Sequence, residues 1–250
     1  GLNYDFNGNT SVFGGVHKGV STPSPRAILR DGVTLESSVQ YEAGLRYGSD
    51  NFNAELVGFF TDFENIISTA AGLGLDGTGG ENAGEAEVKG FEFLATYDPF
   101  QDRSVRLPLF FSATYTDASL LNSLASGGAE DIYSGGVAGA AIPYIPEWKV
   151  AAGIGAHTEK FGADLLATYV SDTFGTAVNT VTPINTSREG EVDGGVIVDL
   201  STYYQINDST KFLFGVHNLF EEVMVTSRIP EGPRVNAPRE FYFGFEMLLE

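Results

Sequence analysis

The stretch WKVAAGIGAHTEKFGADLLATY, residues 148–169, decides the fold. Trp148, Val150, Ala152, Ile154 and Ala156 form one apolar row at period two, and Phe161, Ala163, Leu165, Ala167 and Tyr169 form another. Only Thr158–Lys160 lies between them, enough for a tight turn, so the stretch reads as two strands of about ten residues folded into a hairpin. The same alternation runs outward in both directions. Upstream it appears in Val39, Tyr41, Ala43, Leu45 and Tyr47, and again in Val105, Leu107, Leu109, Phe111, Ala113 and Tyr115. Downstream come Val196, Val198, Leu200, Thr202 and Tyr204, then Phe212, Phe214 and Val216, and last Phe241, Phe243, Phe245, Met247 and Leu249. Eleven such segments are readable, and the gaps between them alternate between short and long. The short gaps are Asn7–Asn9, Gly48–Asn51, Phe100–Ser104, Thr158–Lys160 and Asn207–Ser209; the long ones run roughly over Val20–Leu35, Glu64–Glu85, Asp117–Pro146, Asp172–Val192 and Leu219–Pro238. Tight turns at one end and long loops at the other predict an all-β, antiparallel transmembrane β-barrel with short periplasmic turns and long extracellular loops. A soluble β-sandwich also alternates, but has no reason to sort its connections by length.

Composition fits this reading. No run of apolar residues is long enough for a membrane helix. The mean hydropathy of −0.03 is what a barrel wall gives, because only every second strand residue meets lipid. There is no cysteine, hence no disulfide framework and no thiolate metal site. A net charge of −19 argues against nucleic acid as a partner, since phosphates require a basic face. Gly1 already lies in strand-like sequence with no signal peptide before it, so the N-terminus reads as cut.

The rows opposite the apolar ones carry Glu42, Arg46, Glu55, Glu92, Lys149, Asp164, Asp199 and Lys211. Charges at mid-bilayer cost about 2–4 kcal/mol each when they face lipid, so this face must be wet or covered by polar protein. Aromatic residues cluster at strand ends (Tyr47 and Phe52, Trp148, Phe161, Tyr204 and Phe212), as interfacial girdles do. Eleven antiparallel strands cannot close on themselves, because the first and last run the same way. The count predicts the C-terminal half of a larger barrel of about 22 strands, the size of the plugged outer-membrane transporters, with residues 1–250 all barrel and the plug domain missing from this chain.

Several motifs carry a resemblance. GVHNLFEE (215–222), SRIPEGPR (227–234) and APREFYFG (237–244) resemble the closing strands of TonB-dependent outer-membrane receptors. NAGEAEVKGFE (82–92) and IPYIPEW (142–148) are similar to two further barrel signatures of that family. GVHKGVSTPSPR (15–26) followed by ESSVQYEAGLRY (36–47) resembles most the ferric-dicitrate branch. The resemblance spans nearly the whole chain. It implies a location in the cell outer membrane and active transport of a ferric siderophore, ferric citrate first. It also implies power from the TonB complex through the absent plug, and contact with outer-membrane lipid and lipopolysaccharide. It implies no enzyme activity and no cofactor. A passive porin and a receptor of the same family for another ligand stay open as alternatives. A hydrolase would need a serine and histidine at adjacent lumen positions, and no histidine has a serine or acid at its height in a recognisable motif.

Ferric citrate is anionic, and an anion site favours arginine, whose planar fork matches carboxylates. The candidate ligand contacts are therefore Arg26 and Arg30 in the first long loop, Arg188 in the fourth, and Arg228 and Arg234 in the fifth. Arg239, at the start of the last strand, reads as a structural partner. His17 and His217 read as hydrogen-bonded lumen residues rather than iron ligands, and His157, beside a tight turn, carries no functional signal. The acidic stretches Glu81–Glu87 and Glu130–Asp131 read as solvated loop charge. The stretch Gly72–Gly80 lacks the Lys-Ser/Thr of a phosphate cradle and reads as a loop. Locally, Asn218 is expected to bond its neighbouring backbone, Pro143 and Pro146 to punctuate a loop, and a bulge to fall near Val88 between Gly84 and Gly90. By phase, the position after Glu250 returns to the lipid row, where the family's terminal aromatic belongs, so Glu250 reads as a truncation point.

Overall fold

The computed structural model describes residues 1–23, 25, 28, 33–68, 81–82, 84–101, 103–124, 131–183, 187–229 and 232–248. In chain order its strands are β1 (Leu2–Asn7), β2 (Thr10–Ser21), β3 (Glu36–Gly48), β4 (Phe52–Glu64), β5 (Ile67–Ser68), β6 (Glu81–Asn82), β7 (Ala86–Tyr97), β8 (Leu109–Leu120) and β9 (Trp148–His157). They continue as β10 (Phe161–Val170), β11 (Thr173–Phe174), β12 (Glu191–Val192), β13 (Gly195–Asn207), β14 (Thr210–His217), β15 (Val225–Ser227), β16 (Arg234–Val235) and β17 (Glu240–Met247). Eleven of them form one antiparallel sheet in the order β1-β2-β3-β4-β7-β8-β9-β10-β13-β14-β17, with β1 and β17 as its edges. The remaining six make three two-stranded ribbons, β5–β6, β11–β12 and β15–β16, each within a long connection.

The short connections share one device, a side chain that satisfies the turn's own backbone. Asn7 Oδ1 accepts from the N–H groups of Asn9 and Thr10 at 2.9 Å each, and Asn207 Oδ1 accepts from Ser209 N at 3.0 Å. Ser49 Oγ and Thr158 Oγ1 accept from Phe52 N and Phe161 N at 3.2 and 2.9 Å. The turn after β7 is wider than its sequence implies. The row expected to begin at Val105 enters the sheet at Leu109, because Pro108 has no N–H to donate. Register is nonetheless kept, with Arg106 bridged to His157 and Leu109 opposite Ile154. An ion pair of 2.7 Å between Arg106 Nε and Asp98 Oδ2 holds this turn. Burial raises the Asp98 carboxyl pKa, but the Arg106 guanidinium and the backbone N–H groups of Phe100 and Leu107 outweigh it, leaving it below the ordinary value. Tight packing of the turn therefore persists above the usual carboxylate range and weakens as pH falls through the lowered value.

The outer face is apolar and aromatic. Around its upper edge Phe91, Tyr115 and Trp148 contact one another with ring centroids 5.0–5.9 Å apart, and Tyr41 lies 6.5 Å from Phe60. Around its lower edge Tyr47, Phe52 and Tyr97 follow in line, and Phe212 meets Phe245 at 5.3 Å. Immediately above the upper ring the outer row turns charged. Lys89 bridges Glu87 at 2.8 Å and Asp117 at 3.4 Å, with Asp62 opposite Glu87. The apolar band thus ends within one residue pair, as a hydrocarbon boundary requires.

On the inner face, bulky rings lie flat along the wall over glycines of the neighbouring strand. Phe13 covers Gly44, Tyr203 covers Gly162 and Tyr242 covers Gly215. Gly90 is the tightest of these sites. No bulge occurs there: pairing of β7 with both β4 and β8 is continuous from Ala86 to Tyr97, contrary to the sequence expectation. A Cβ on Gly90 would overlap the Tyr115 carbonyl oxygen and sit 2.9 Å from Phe59 Cζ, so backbone approach, not an extra residue, demands the glycine.

Candidate functional site: the loop-covered mouth and inner wall

The buried core lies at one end of the wall, under the long loops. Ala86, Ala118 and Leu120, on the inner rows of β7 and β8, pack with Ile66, Ala140, Ile142 and Ala177 from three different connections. Backbone bonds fold the β8–β9 connection back onto its own strand: Ile142 N donates to Ala118 O and Leu120 N to Ala140 O, at 3.0 and 2.9 Å. Tyr133 packs against this core. Its phenol is held above the ordinary tyrosine range, first by burial and then by the carboxylates of Glu36 and Asp131.

This loop is tied to the next. Asn179 brackets Ala141, accepting its N–H at 2.7 Å and donating to its carbonyl at 3.0 Å, and Ala177 N donates to Ile132 O at 2.7 Å. Tyr144, at φ +62°, turns its hydroxyl to accept from the N–H groups of Arg228 and Ile229 in the β14–β17 connection, each at 3.2 Å. That connection is fixed at its base by Asn218, which is fully buried at φ +52°. Its N–H donates to Asp199 Oδ1, its side-chain amide donates to Glu222 O and Ala237 O, and its Oδ1 accepts from Glu222 N. The expected local bonding of Asn218 is present, extended to a lumen carboxylate. Pro143 and Pro146 sit buried where the loop returns to β9.

The arginines named from sequence are placed unevenly. Arg26 and Arg30 lie outside the described residues. Arg188 is half-buried beside the β11–β12 ribbon and Arg234 is exposed on β16; each is engaged within the protein. Arg228 is only 6% exposed. Its Nε donates to Glu191 O and its Nη1 to Ser187 O, so its guanidinium ties two loops together through backbone carbonyls. Arg239 pairs with Glu221 at 2.8 Å, the structural partnership expected of it.

All three histidines face carboxylates across the inner wall: His17 with Glu42 at 3.1 Å, His157 with Asp164 at 2.9 Å and His217 with Asp199 at 2.8 Å. Sequence reading found no acid at their height, because two of the pairs are diagonal: Gly15, not His17, opposes Glu42, and Gly155, not His157, opposes Asp164. Among the described residues no cluster of His, Asp and Glu is arranged to hold a metal ion. Further down, Gly153 and Gly155 leave a trough of about 650 Å³ edged by Phe110, Leu166 and Tyr242 and by Asp164 and Asp199.

The family profile described as "TonB dependent receptor-like, beta-barrel" matches residues 1–219. The chain belongs to this family. Its wall is accordingly an outer-membrane wall, as in the TonB-dependent receptors whose fold it shares. No curated protein matches the sequence. Among solved structures, the unliganded ferric citrate transporter FecA superposes with a TM-score of 0.77 at 20% identity, over 98% of this chain and 37% of that one. The siderophore receptor PiuA from Acinetobacter baumannii gives 0.75 at 16% identity, over 98% and 34%. The copper transporter OprC gives 0.69 at 17%, over 98% and 38%. The chain spans little more than a third of these structures, and at such identities the likeness is one of fold.

Proposed function

We propose that residues 1–250 are the C-terminal half of the barrel domain of a TonB-dependent receptor that imports a ferric siderophore, ferric citrate being the first candidate. The observation that carries this reading is the inner face. Leu94 (44% exposed), Phe110 (37%), Leu166 (37%) and Tyr242 (51%) project from rows that in a passive porin would line water. Apolar side chains at such exposure, interleaved with carboxylates, suit a surface covered by folded protein. A plug inside a closed barrel of about 22 strands is the cover this reading supplies. The inward-folded loop core supports it as well, since it builds a shaped mouth above that cover. Outside the barrel, Lys89 with Glu87, Asp117 and Asp62 stands at the height of lipid and lipopolysaccharide head groups, which we take as partners there.

The five arginines remain the proposed source of anion recognition, with a division of labour. Arg26, Arg30, Arg188 and Arg234 are assigned to the chelate, while Arg228 holds the loops that present them. Replacing the four contacts by alanine in the full-length receptor is expected to weaken ferric-citrate binding by about 1–3 kcal/mol per true contact, the range for charged hydrogen bonds. Arg228→Ala is expected to act differently, increasing protease cleavage in the β14–β17 connection even without ligand. Calorimetric titration of the purified receptor tests the reading itself: saturable binding in the nanomolar-to-micromolar range supports it, and no saturable binding favours a porin. The likeness to OprC supports a second reading, a receptor of this family for another metal species, which the same titration with a copper ligand addresses.

A further inference from the structure

We infer that Lys149, on the inner wall beneath the loop-covered mouth, is a contact for the negative charge of the bound chelate; the inference rests on the ferric-chelate reading above. Arg46, Lys149 and Lys211 are the lysines and arginines on the inner rows of the wall strands. Arg46 is paired with Glu55, and Lys211 lies 3.3 Å from Glu246. Lys149 is exposed, and among the described residues its side chain has neither an ion pair nor a hydrogen bond. In a chain of net charge −19, an inner-row cation without a carboxylate partner is available to a ligand; Asp164 and Asp199, several residues lower on the wall, are taken up by histidines.

The register fixes its height. The loop core reaches down the inner row of β8 to Ala118, and Thr116 N is taken by Glu147 O at 2.8 Å as the loop returns to the wall. Thr114 is the next inner residue down, and Lys149 stands directly opposite it. On β9 the ammonium group is therefore the first cationic donor below the covering loop, beside the Thr114 hydroxyl, where a chelate entering from the loop end comes to rest. Glu92, on the far side of Thr114, is the carboxylate in the same row. The backbones of Glu92 and Lys149 are two strand spacings apart, about 10 Å, and no ion pair joins the two side chains, so Glu92 stands where it opposes an anion held at Lys149.

The test is affinity in the full-length receptor for ferric citrate and for a ferric tris-catecholate, both anionic. Lys149→Ala is expected to weaken binding about tenfold or more, the loss of one charge-assisted hydrogen bond. Lys149→Arg is expected to retain affinity, and Glu92→Gln to tighten it. Because the side chain has no partner among the described residues, these variants should insert normally, checked by heat-modified gel mobility, with Lys149→Gln as the replacement should alanine fail to fold. If the wild type binds neither chelate, the ferric-chelate reading fails and this inference with it. If the wild type binds one and Lys149→Ala binds it equally well, the inference alone is overturned.

Discussion

Valine in place of Gly90 is expected to prevent the wall from assembling. The Cβ of any other residue meets the Tyr115 carbonyl oxygen, a ladder atom that cannot swing aside as a side chain can. Either β7 separates from β8, losing continuous pairing from Ala86 to Tyr97, or both strands distort beneath Phe59. Overpacking of a fitted site costs about 1–3 kcal/mol, and a clash with fixed backbone belongs at or beyond the upper end of that range. Folding into detergent or lipid, read as heat-modifiable gel mobility, should be lost for Gly90→Val and reduced for Gly90→Ala. Gly58, on the outer row of the adjacent strand, has nothing within 4 Å of a built Cβ, so Gly58→Ala should fold like the wild type. Equal behaviour of the two alanine variants would mean that the β7–β8 approach is looser than described.

Asn218→Ala should release the β14–β17 connection from the wall. Two features are lost together. Asparagine tolerates the left-handed φ of +52° better than alanine does. Its amide also satisfies Glu222 N, Glu222 O and Ala237 O at a site without solvent. Glu222 O and Ala237 O keep the Asn236 amide as a donor, so Glu222 N is the group left unpaired, at about 1–3 kcal/mol, to which the left-handed backbone adds about 1 kcal/mol. Asn218→Gly restores the φ but none of the side-chain bonds and should recover only the backbone part. Limited proteolysis after residue 218, or hydrogen exchange at Glu222, is the readout; unchanged protection in Asn218→Ala would show that the loop is held by its other contacts.

What the sequence disclosed and what it withheld divide along physical lines. Strand existence, phase and the alternation of tight and long connections were legible because lipid imposes period two on one face and the bilayer fixes strand length. The pairing of Ala163 with Ala156 and of Leu165 with Ile154 follows from turn length alone. Two expectations fail for opposite reasons: the missing N–H of Pro108 delays a strand whose apolar row runs on from Val105, and Gly90, required by close approach, resembles a bulge position in sequence. The loop core was illegible, since Leu120, Ala140, Ile142 and Ala177 share no period and meet only through the fold. Arg228 was named for its charge, yet its bonds go to carbonyls of Glu191 and Ser187, partners that no side-chain pattern can announce. Lys149 was visible as an inner-row residue, but its lack of a partner became apparent only when Arg46 and Lys211 were seen to have theirs.

The central claim is that this wall belongs to an energised receptor for a ferric chelate. Radioactive iron uptake from ferric citrate, in outer-membrane-intact cells dependent on the full-length protein, tests it most directly. The account predicts saturable uptake that disappears when TonB is deleted or the proton gradient is collapsed. Uptake that rises linearly with concentration and continues without TonB would contradict it.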